Sequence, residues 1–397
     1  MAVMRWVILA VLMFGWGASQ VQRASVAVVL PSVQADLDLT SEQVGWAFAA
    51  FTIGMIAGCV LLTVVTALAG ARWGLTVGFA GAAVASLASA LAGNVIALMA
   101  TRFALGFFTA ALLPAMVQAV AEWFSRPLRT LAIGLILASF HVCALITPFL
   151  VASLAQAVGW RVVLAATGLP ALLAAVLCLI FAIFVKAPPV QPVSGRLSAA
   201  GLVSAGTLAL GLFFAAPALS LCTVWLPSYL HEIAGTESFT GSAIKASTFT
   251  MAGAFSGALL AGAIACILMY AGFRPTKTRA ALLTALGCLL PLVAVAGLLK
   301  MPCAVLLLSF LVMAGCYGVM TLLYAAVADT LPVRGVAVAV AIGSLMMVFS
   351  SGLSPWIMGT LKAQVGFDPL FLLVGGVGAL AWLVVALPAW FIRQEAG

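Results

Sequence analysis

Three side chains bring charge or titratable chemistry into apolar surroundings: Arg23, Arg102 and His141. A guanidinium offers a planar fork of donors that fits both oxygens of a carboxylate. An imidazole exchanges a proton near neutral pH and also serves as a neutral hydrogen-bond donor. Arg23 lies late in the run VILAVLMFGWGASQVQRASVAVVLP, residues 7–31, next to Gln22, Gln20 and Ser19. Arg102 lies in a second apolar run and His141 about midway along a third, in SFHVCALITP. In a bilayer, a central arginine costs from about +2.5 to more than +10 kcal/mol, so such a group is expected to be paired, hydrated or ligand-binding.

The acidic residues restrict the choice. All nine lie in loops or at the ends of apolar runs, so no carboxylate sits where it would neutralise Arg23 or Arg102 at mid-membrane. An anionic solute is one compensation and water in a cavity is another. The alternative is that each arginine snorkels to the interface or packs on carbonyls. Both arginines fall roughly 8–9 Å from the midplane, on the same side, if their runs cross in opposite directions. Trp16, Ser19 and Arg23 share one helix face, as do Arg102, Gly106, Thr109 and Leu113. The candidate anion site is therefore Arg23, Arg102, Gln22, Ser19 and Thr109. His141 is the candidate proton carrier or a substrate donor, the alternative being a neutral histidine bonded to a neighbouring helix. Tyr317 and Tyr324, on one face with Thr321, are weaker candidates. Trp225 and Tyr229 are expected in an interfacial aromatic belt.

These residues must be held by helices that span a membrane. The chain is 65% hydrophobic and 7% charged, with mean hydropathy +1.29, unlike a soluble domain. Twelve spans are expected near 6–30, 43–68, 74–93, 95–122, 128–156, 161–186, 198–228, 241–271, 277–299, 302–328, 335–361 and 368–392. Most are long enough to cross a hydrocarbon layer of about 30 Å. The first run follows Arg5 like a signal peptide, but its length and the runs after it predict a first span. With the N-terminus inside, eleven of the seventeen Lys and Arg fall on the inner side, four outside and two within spans. That bias predicts both termini in the cytoplasm. The stretch KAPPVQPVSGRL, 186–197, reads as a cytoplasmic linker between a bundle over 1–185 and another over 198–397. Six plus six spans is the layout of two packed bundles with a site between them.

Other classes receive no support. The +8 charge comes from basic residues in short loops and does not mark a nucleic-acid surface. The eight cysteines have no CxxC or other metal spacing and read as small buried hydrophobes. No GxSxG, Walker A or HExxH pattern occurs. The chain is therefore expected to be neither an enzyme nor ATP-driven, and to need no metal or cofactor.

Several stretches carry a family resemblance. These are QRASVAVVLPSVQADLDLTSEQVGWAFAAFTIG from Gln22 onward, Arg102-Phe-Ala-Leu-Gly106, Gly159-Trp160-Arg161 and Trp225-Leu-Pro-Ser-Tyr229-Leu. Together with the six-plus-six layout they resemble the major facilitator superfamily, and within it the anion:cation symporter branch that carries sugar acids and related solutes. The resemblance implies an all-α membrane protein of twelve helices in two six-helix bundles. Three departures stand out. The loop between spans 2 and 3 has Ala71 before Arg72, where the superfamily usually has an acid. Gln22 and Thr109 stand where the branch commonly has carboxylates, so the proton carriers the resemblance would assign are missing.

The expectation is a secondary transporter of a small organic anion, a carboxylate or sugar acid, working by alternating access. It is expected to be a monomer in a bacterial inner membrane. Coupling is open between proton symport through His141, exchange and uniport. Efflux of drug-like solutes is the alternative within transport, and a non-transporting membrane sensor on the same fold is the alternative outside it.

Overall fold

The computed structural model describes residues 2–185, 198–235 and 238–391, and within them every regular element is helical. The expected 186–197 linker lies outside the described residues. In chain order the segments are α1 Ala2–Leu37, α2 Ser41–Ala69, α3 Ala71–Ser89 and α4 Val95–Trp123. Next comes the continuous stretch Arg126–Phe184, broken at Gly159 into α5 (126–158) and α6 (160–184). Then follow α7 Ala199–Ala234, α8 Phe239–Tyr270 and α9 Pro275–Leu299. The last three are α10 Pro302–Thr330, α11 Val333–Val365 and α12 Phe367–Phe391. Each of the twelve expected spans is occupied by one of these segments.

Ten stretches, counting α5 with α6, are long and apolar enough to cross a membrane, and no more than 61% of any one's most apolar window is buried. Large apolar residues such as Leu61, Leu68, Ile96, Phe149, Ile183 and Trp356 are exposed along their lengths. Water does not tolerate so extensive an apolar surface, and a bilayer does. The chain is an integral membrane protein.

Local chemistry sets the helix ends. Thr40 and Gln43 exchange backbone and side-chain hydrogen bonds at the start of α2, a capping box. The only asparagine of the chain, Asn94, accepts from the Ala97 amide and opens α4. Ser198 and Ser238 do the same for α7 and α8. Gly159, with φ 80° and ψ 162°, takes the turn between α5 and α6 that a residue with a Cβ would resist.

Two seams of close backbone approach organise the interior. Gly54 and Gly58 of α2 face the carbonyls of Phe103 and Phe107 on α4, and Gly106 of α4 faces the Phe51 carbonyl on α2. Six helices later, Gly253 and Gly257 of α8 face the carbonyls of Phe310 and Ala314 on α10. Both use two small residues four apart, which let helix axes approach without side chains between them. These are the two most extensive helix pairings of the fold.

The described residues fall into two compact units: one from Met1–Phe124, Val142–Val193 and Pro332–Ala341, the other from Ser125–His141, Ser194–Leu331 and Ile342–Gly397. The α2–α4 seam belongs to the first and the α8–α10 seam to the second. In the first unit Val26, Val29 and Val33 pack with Leu98, Trp160 and Leu164. In the second, Tyr229, Leu290, Val312, Phe367 and Phe371 form the larger cluster.

A Cβ at Gly106 would meet backbone rather than a yielding side chain. Gly106→Val is expected to destabilise the protein by about 1–3 kcal/mol, the range for overpacking. Gly206→Ala, whose Cβ would meet nothing within 4 Å, is expected to leave stability unchanged or slightly raised. Thermal unfolding of both variants in detergent checks the contrast.

Candidate functional site

The first unit brings Arg23 and Arg102 to a single aromatic ring. The guanidinium carbon of Arg102 lies 4.9 Å from the centroid of Phe51, and that of Arg23 lies 5.5 Å from it. Arg102 Nη2 is 3.5 Å from the Arg23 carbonyl. Phe51 stands on α2 because Gly106, one turn beyond Arg102 on α4, packs against the Phe51 backbone. The glycine seam thus sets the cation over the ring. A ring face attracts a cation by about 0.5–2 kcal/mol, more when water is excluded.

The two arginines differ in exposure. Arg102 is 2% exposed, and among the described residues its Nε and Nη1 have no hydrogen-bond partner. Arg23 is exposed. The pair therefore presents one buried fork with unused donors and one accessible cation beside the same ring.

The remaining candidates of this unit bond to the protein. Gln22 is buried and donates through Nε2 to the Ala82 carbonyl of α3 at 3.3 Å. Ser19 donates to the Trp16 carbonyl at 2.8 Å, and Thr109 to the Leu105 carbonyl at 2.7 Å. Gln20, one step round from Arg23's face, keeps a buried Oε1 with no partner among the described residues.

His141, Tyr317 and Tyr324 belong to the second unit. His141 is 2% exposed, its ring lies 4.1 Å from that of Tyr317 at 79°, and neither ring nitrogen has a hydrogen-bond partner among the described residues. The expected alternative, a histidine bonded to a neighbouring helix, is not what the structure shows: the neighbour offers a ring. Tyr324 is fully buried, two turns along α10 from Tyr317. Thr321 between them bonds the Tyr317 carbonyl at 2.9 Å.

Tyr229 does not take the interfacial place expected of it. It is buried, donates to the Gly297 carbonyl at 3.0 Å and packs on Phe367 and Phe371. Its polar tip is satisfied by a helix end inside the core, so it has no need of the interface. Trp225 ends a π-helical turn in α7, Leu221–Trp225, and lies under Lys362 at 5.5 Å.

Several other cations are held by carboxylates or carbonyls. Arg72, in the first turn of α3, donates to the carbonyls of Ala182 and Val185 at 3.3 and 2.8 Å. It caps the C-terminus of α6, where a cation is favoured. Arg161 pairs with Asp36 and lies over Trp160, and Lys300 pairs with Asp368 at 2.6 Å. In the second unit, Asp329 takes Arg129 at 2.7 Å and Arg279 at 2.6 Å, its carboxylate wholly buried.

Phe51 and this Arg129–Asp329–Arg279 cluster were not foreseen. The aromatic carried a signal, three residues before Gly54 in the α2 seam. The cluster joins residues about 50 to 200 positions apart, and only the fold brings them together.

The major facilitator superfamily profile matches residues 6–273, about two thirds of the chain. The chain belongs to that superfamily. Among curated proteins it is 26% identical over 266 residues to the hexuronate transporter of Escherichia coli K12, covering 58% of this chain and 59% of that protein. It is 25% identical over 170 residues to the galacturonate transporter of Dickeya chrysanthemi, covering 42% and 48%. A probable sulfoacetate transporter of Cupriavidus necator is 27% identical over 157 residues, covering 40% and 36%. The chain thus spans less than two thirds of the curated relatives it matches. Among solved structures, the E. coli fucose:proton symporter FucP superposes with TM-score 0.74 at 17% identity, covering 98% of this chain and all of that one. The xylose:proton symporter XylE gives 0.73 at 15% identity, covering 96% and 94%. At that identity the likeness is one of fold.

The charge contacts predict a contrast in stability. Asp329→Ala leaves the buried guanidinium of Arg279 and the partly buried one of Arg129 without their shared carboxylate and is expected to cost about 3–5 kcal/mol. Asp36→Ala breaks a pair whose side chains are 41% and 43% exposed and is expected to cost no more than about 1 kcal/mol. Unfolding midpoints of the two variants, compared at low and high salt, check this.

Proposed function

We propose that this protein is a secondary transporter of a small organic anion, a carboxylate or sugar acid, working by alternating access in a bacterial inner membrane. The observation that carries the proposal is Arg102: a buried guanidinium with two unpartnered nitrogens, next to Arg23 over the same ring. An anion supplies what a desolvated cation lacks. A carboxylate fits the fork in two places at once, which selects it over a neutral sugar. The names of the curated relatives point the same way, since hexuronate, galacturonate and sulfoacetate are all organic anions.

Arg102 is assigned the binding fork and Arg23 the accessible cation that attracts the solute. Ser19 and Thr109 are assigned support of the helices, because their hydroxyls already have protein partners. Gln22, bonded to Ala82 through Nε2, keeps an Oε1 with no partner among the described residues and is assigned solute contact. Both termini are placed in the cytoplasm by the distribution of basic residues, and the transporter is taken to act as a monomer. His141 is assigned proton coupling: of the two histidines it is the buried one, and its nitrogens have no protein partner among the described residues. Tyr317, against its ring, holds the imidazole in place.

A screen of organic anions by thermal unfolding of purified protein tests the binding half. A saturating anion at about a hundred times its Kd adds about 2.7 kcal/mol of stability. That gain is expected with wild type, to vanish in Arg102→Ala and to fall in Arg102→Lys, which keeps the charge but not the fork. Stabilisation by neutral or cationic solutes alone would overturn the anion assignment.

Proteoliposome transport tests the coupling. His141→Ala is expected to abolish accumulation driven by a pH gradient while leaving solute counterflow intact. Loss of both activities, or of neither, removes His141 from that role.

A further inference from the structure

A pocket with a mainly apolar wall and a few polar groups lies in the second unit, on the charged cluster rather than at Arg102 or His141. Its empty space, counted with the open mouth, is about 480 Å³. It is formed where α7 and α9 begin and α10 and α12 end. Its polar lining is Ser204, Thr207, Thr276, Arg279 and Thr330, and its apolar wall includes Leu283, Leu323 and Ala389.

Two of the polar groups are buried and unused. Ser204 is 3% exposed, and its Oγ has no hydrogen-bond partner among the described residues. Arg279 is 4% exposed. Its Nη2 is held by Asp329 at 2.6 Å, but its Nε has no partner. A buried guanidinium with an unpartnered nitrogen beside hydroxyl donors is the chemistry of an anion site, and Arg with hydroxyls is a usual set for phosphate.

The surroundings specify how that anion is carried. Ser204 lies five residues after Ala199, about 7–8 Å into α7. That is close to the boundary between headgroups and hydrocarbon in a bilayer. Around this end the exposed residues are of two kinds. Leu202, Leu387 and Trp390 are apolar and suit acyl chains, while Tyr270 and Phe273 adjoin the basic pair Arg274 and Lys277. Aromatic and basic residues together mark the level of lipid headgroups. A free anion would gain nothing from the leucines; a phospholipid uses both sets.

We infer that this pocket binds the phosphate of an anionic phospholipid, with Arg279 and Ser204 at its base, Thr207 and Thr276 at its side, and Arg274 and Lys277 at its rim. On the orientation proposed above, it draws on the inner leaflet, and the bound phosphate takes up the unpartnered Nε of Arg279. The inference does not depend on the identity of the transported solute.

The test uses the full chain, delipidated in neutral detergent. Native mass spectrometry and thermal unfolding are run with phosphatidylglycerol, phosphatidylcholine and inorganic phosphate. Phosphatidylglycerol is expected to leave one retained lipid and to raise Tm; phosphatidylcholine at the same mole ratio is expected to do neither. Ser204→Leu and, separately, Thr207→Leu fill the pocket without touching the Arg279–Asp329 pair, and each is expected to lose both effects. Using two variants guards against one of them failing to fold. Equal effects of the two lipids, or a phosphatidylglycerol effect that survives in both variants, would overturn the site. If inorganic phosphate reproduces the Tm shift, the pocket is a free-anion site and the lipid assignment is wrong.

Discussion

Desolvation of positive charge is the constraint on which this structure turns. Lipid offers no counter-charge, so each guanidinium near or below the interface needs a partner from the chain or a ligand. The protein meets this need in different ways. Asp329 takes two arginines on one buried carboxylate. Arg72 is settled on the carbonyls that end α6. Arg102 receives a ring face and a long contact to a carbonyl. A ring stabilises a cation less than a carboxylate does, and two nitrogens of Arg102 stay unused. Of these three arrangements the compensation at Arg102 is the weakest, and the proposed function rests on that. Full pairing with an acid would have made it a structural residue.

The geometry that produces this depends on residues with no chemistry of their own. Gly54, Gly58 and Gly106 bring α2 and α4 to backbone contact, and so place Phe51 beneath Arg102. The α8–α10 seam repeats the device with Gly253 and Gly257 in the second unit. Such packing suits a membrane interior, where apolar side chains gain little by leaving lipid for one another and close van der Waals fit carries the association. The recurrence six helices later matches the repeated halves of the major facilitator superfamily.

Much of the fold was legible in the sequence because its physics is one-dimensional. A run of some twenty apolar residues reports a span whatever its neighbours are, and all twelve expected spans are helical. The meeting of Arg23 and Arg102 was also legible, since similar depth and shared faces follow from helix geometry. What escaped were contacts set by rotation and tertiary neighbours. Tyr229 looked interfacial because it stands near a span end, yet its hydroxyl finds the Gly297 carbonyl inside the core. At Gln22 what escaped was the contact of its Nε2 with the Ala82 carbonyl of α3; its Oε1 keeps no partner among the described residues. The Asp329 cluster needed three helix ends brought together. Charge counting along the chain placed each member near a span end but could not pair them.

The two positions where the superfamily branch usually carries acids bear on coupling. Gln22 cannot titrate, and its amide is already bonded to Ala82. Thr109 has turned its hydroxyl onto its own helix. Neither can stand in for a lost proton carrier. Their exchange for neutral groups also removes negative charge from the vicinity of Arg23 and Arg102. In a low-dielectric site that change strengthens the attraction felt by an incoming anion. It also strips the arginines of an internal counter-charge that protonation could switch off. On the proposed function, an anion held at Arg102 would have no titrating neighbour at these two positions to release it. Any proton linkage must then act from elsewhere in the chain. Of the two histidines, whose unperturbed chemistry lies near neutral pH, His141 is the buried one.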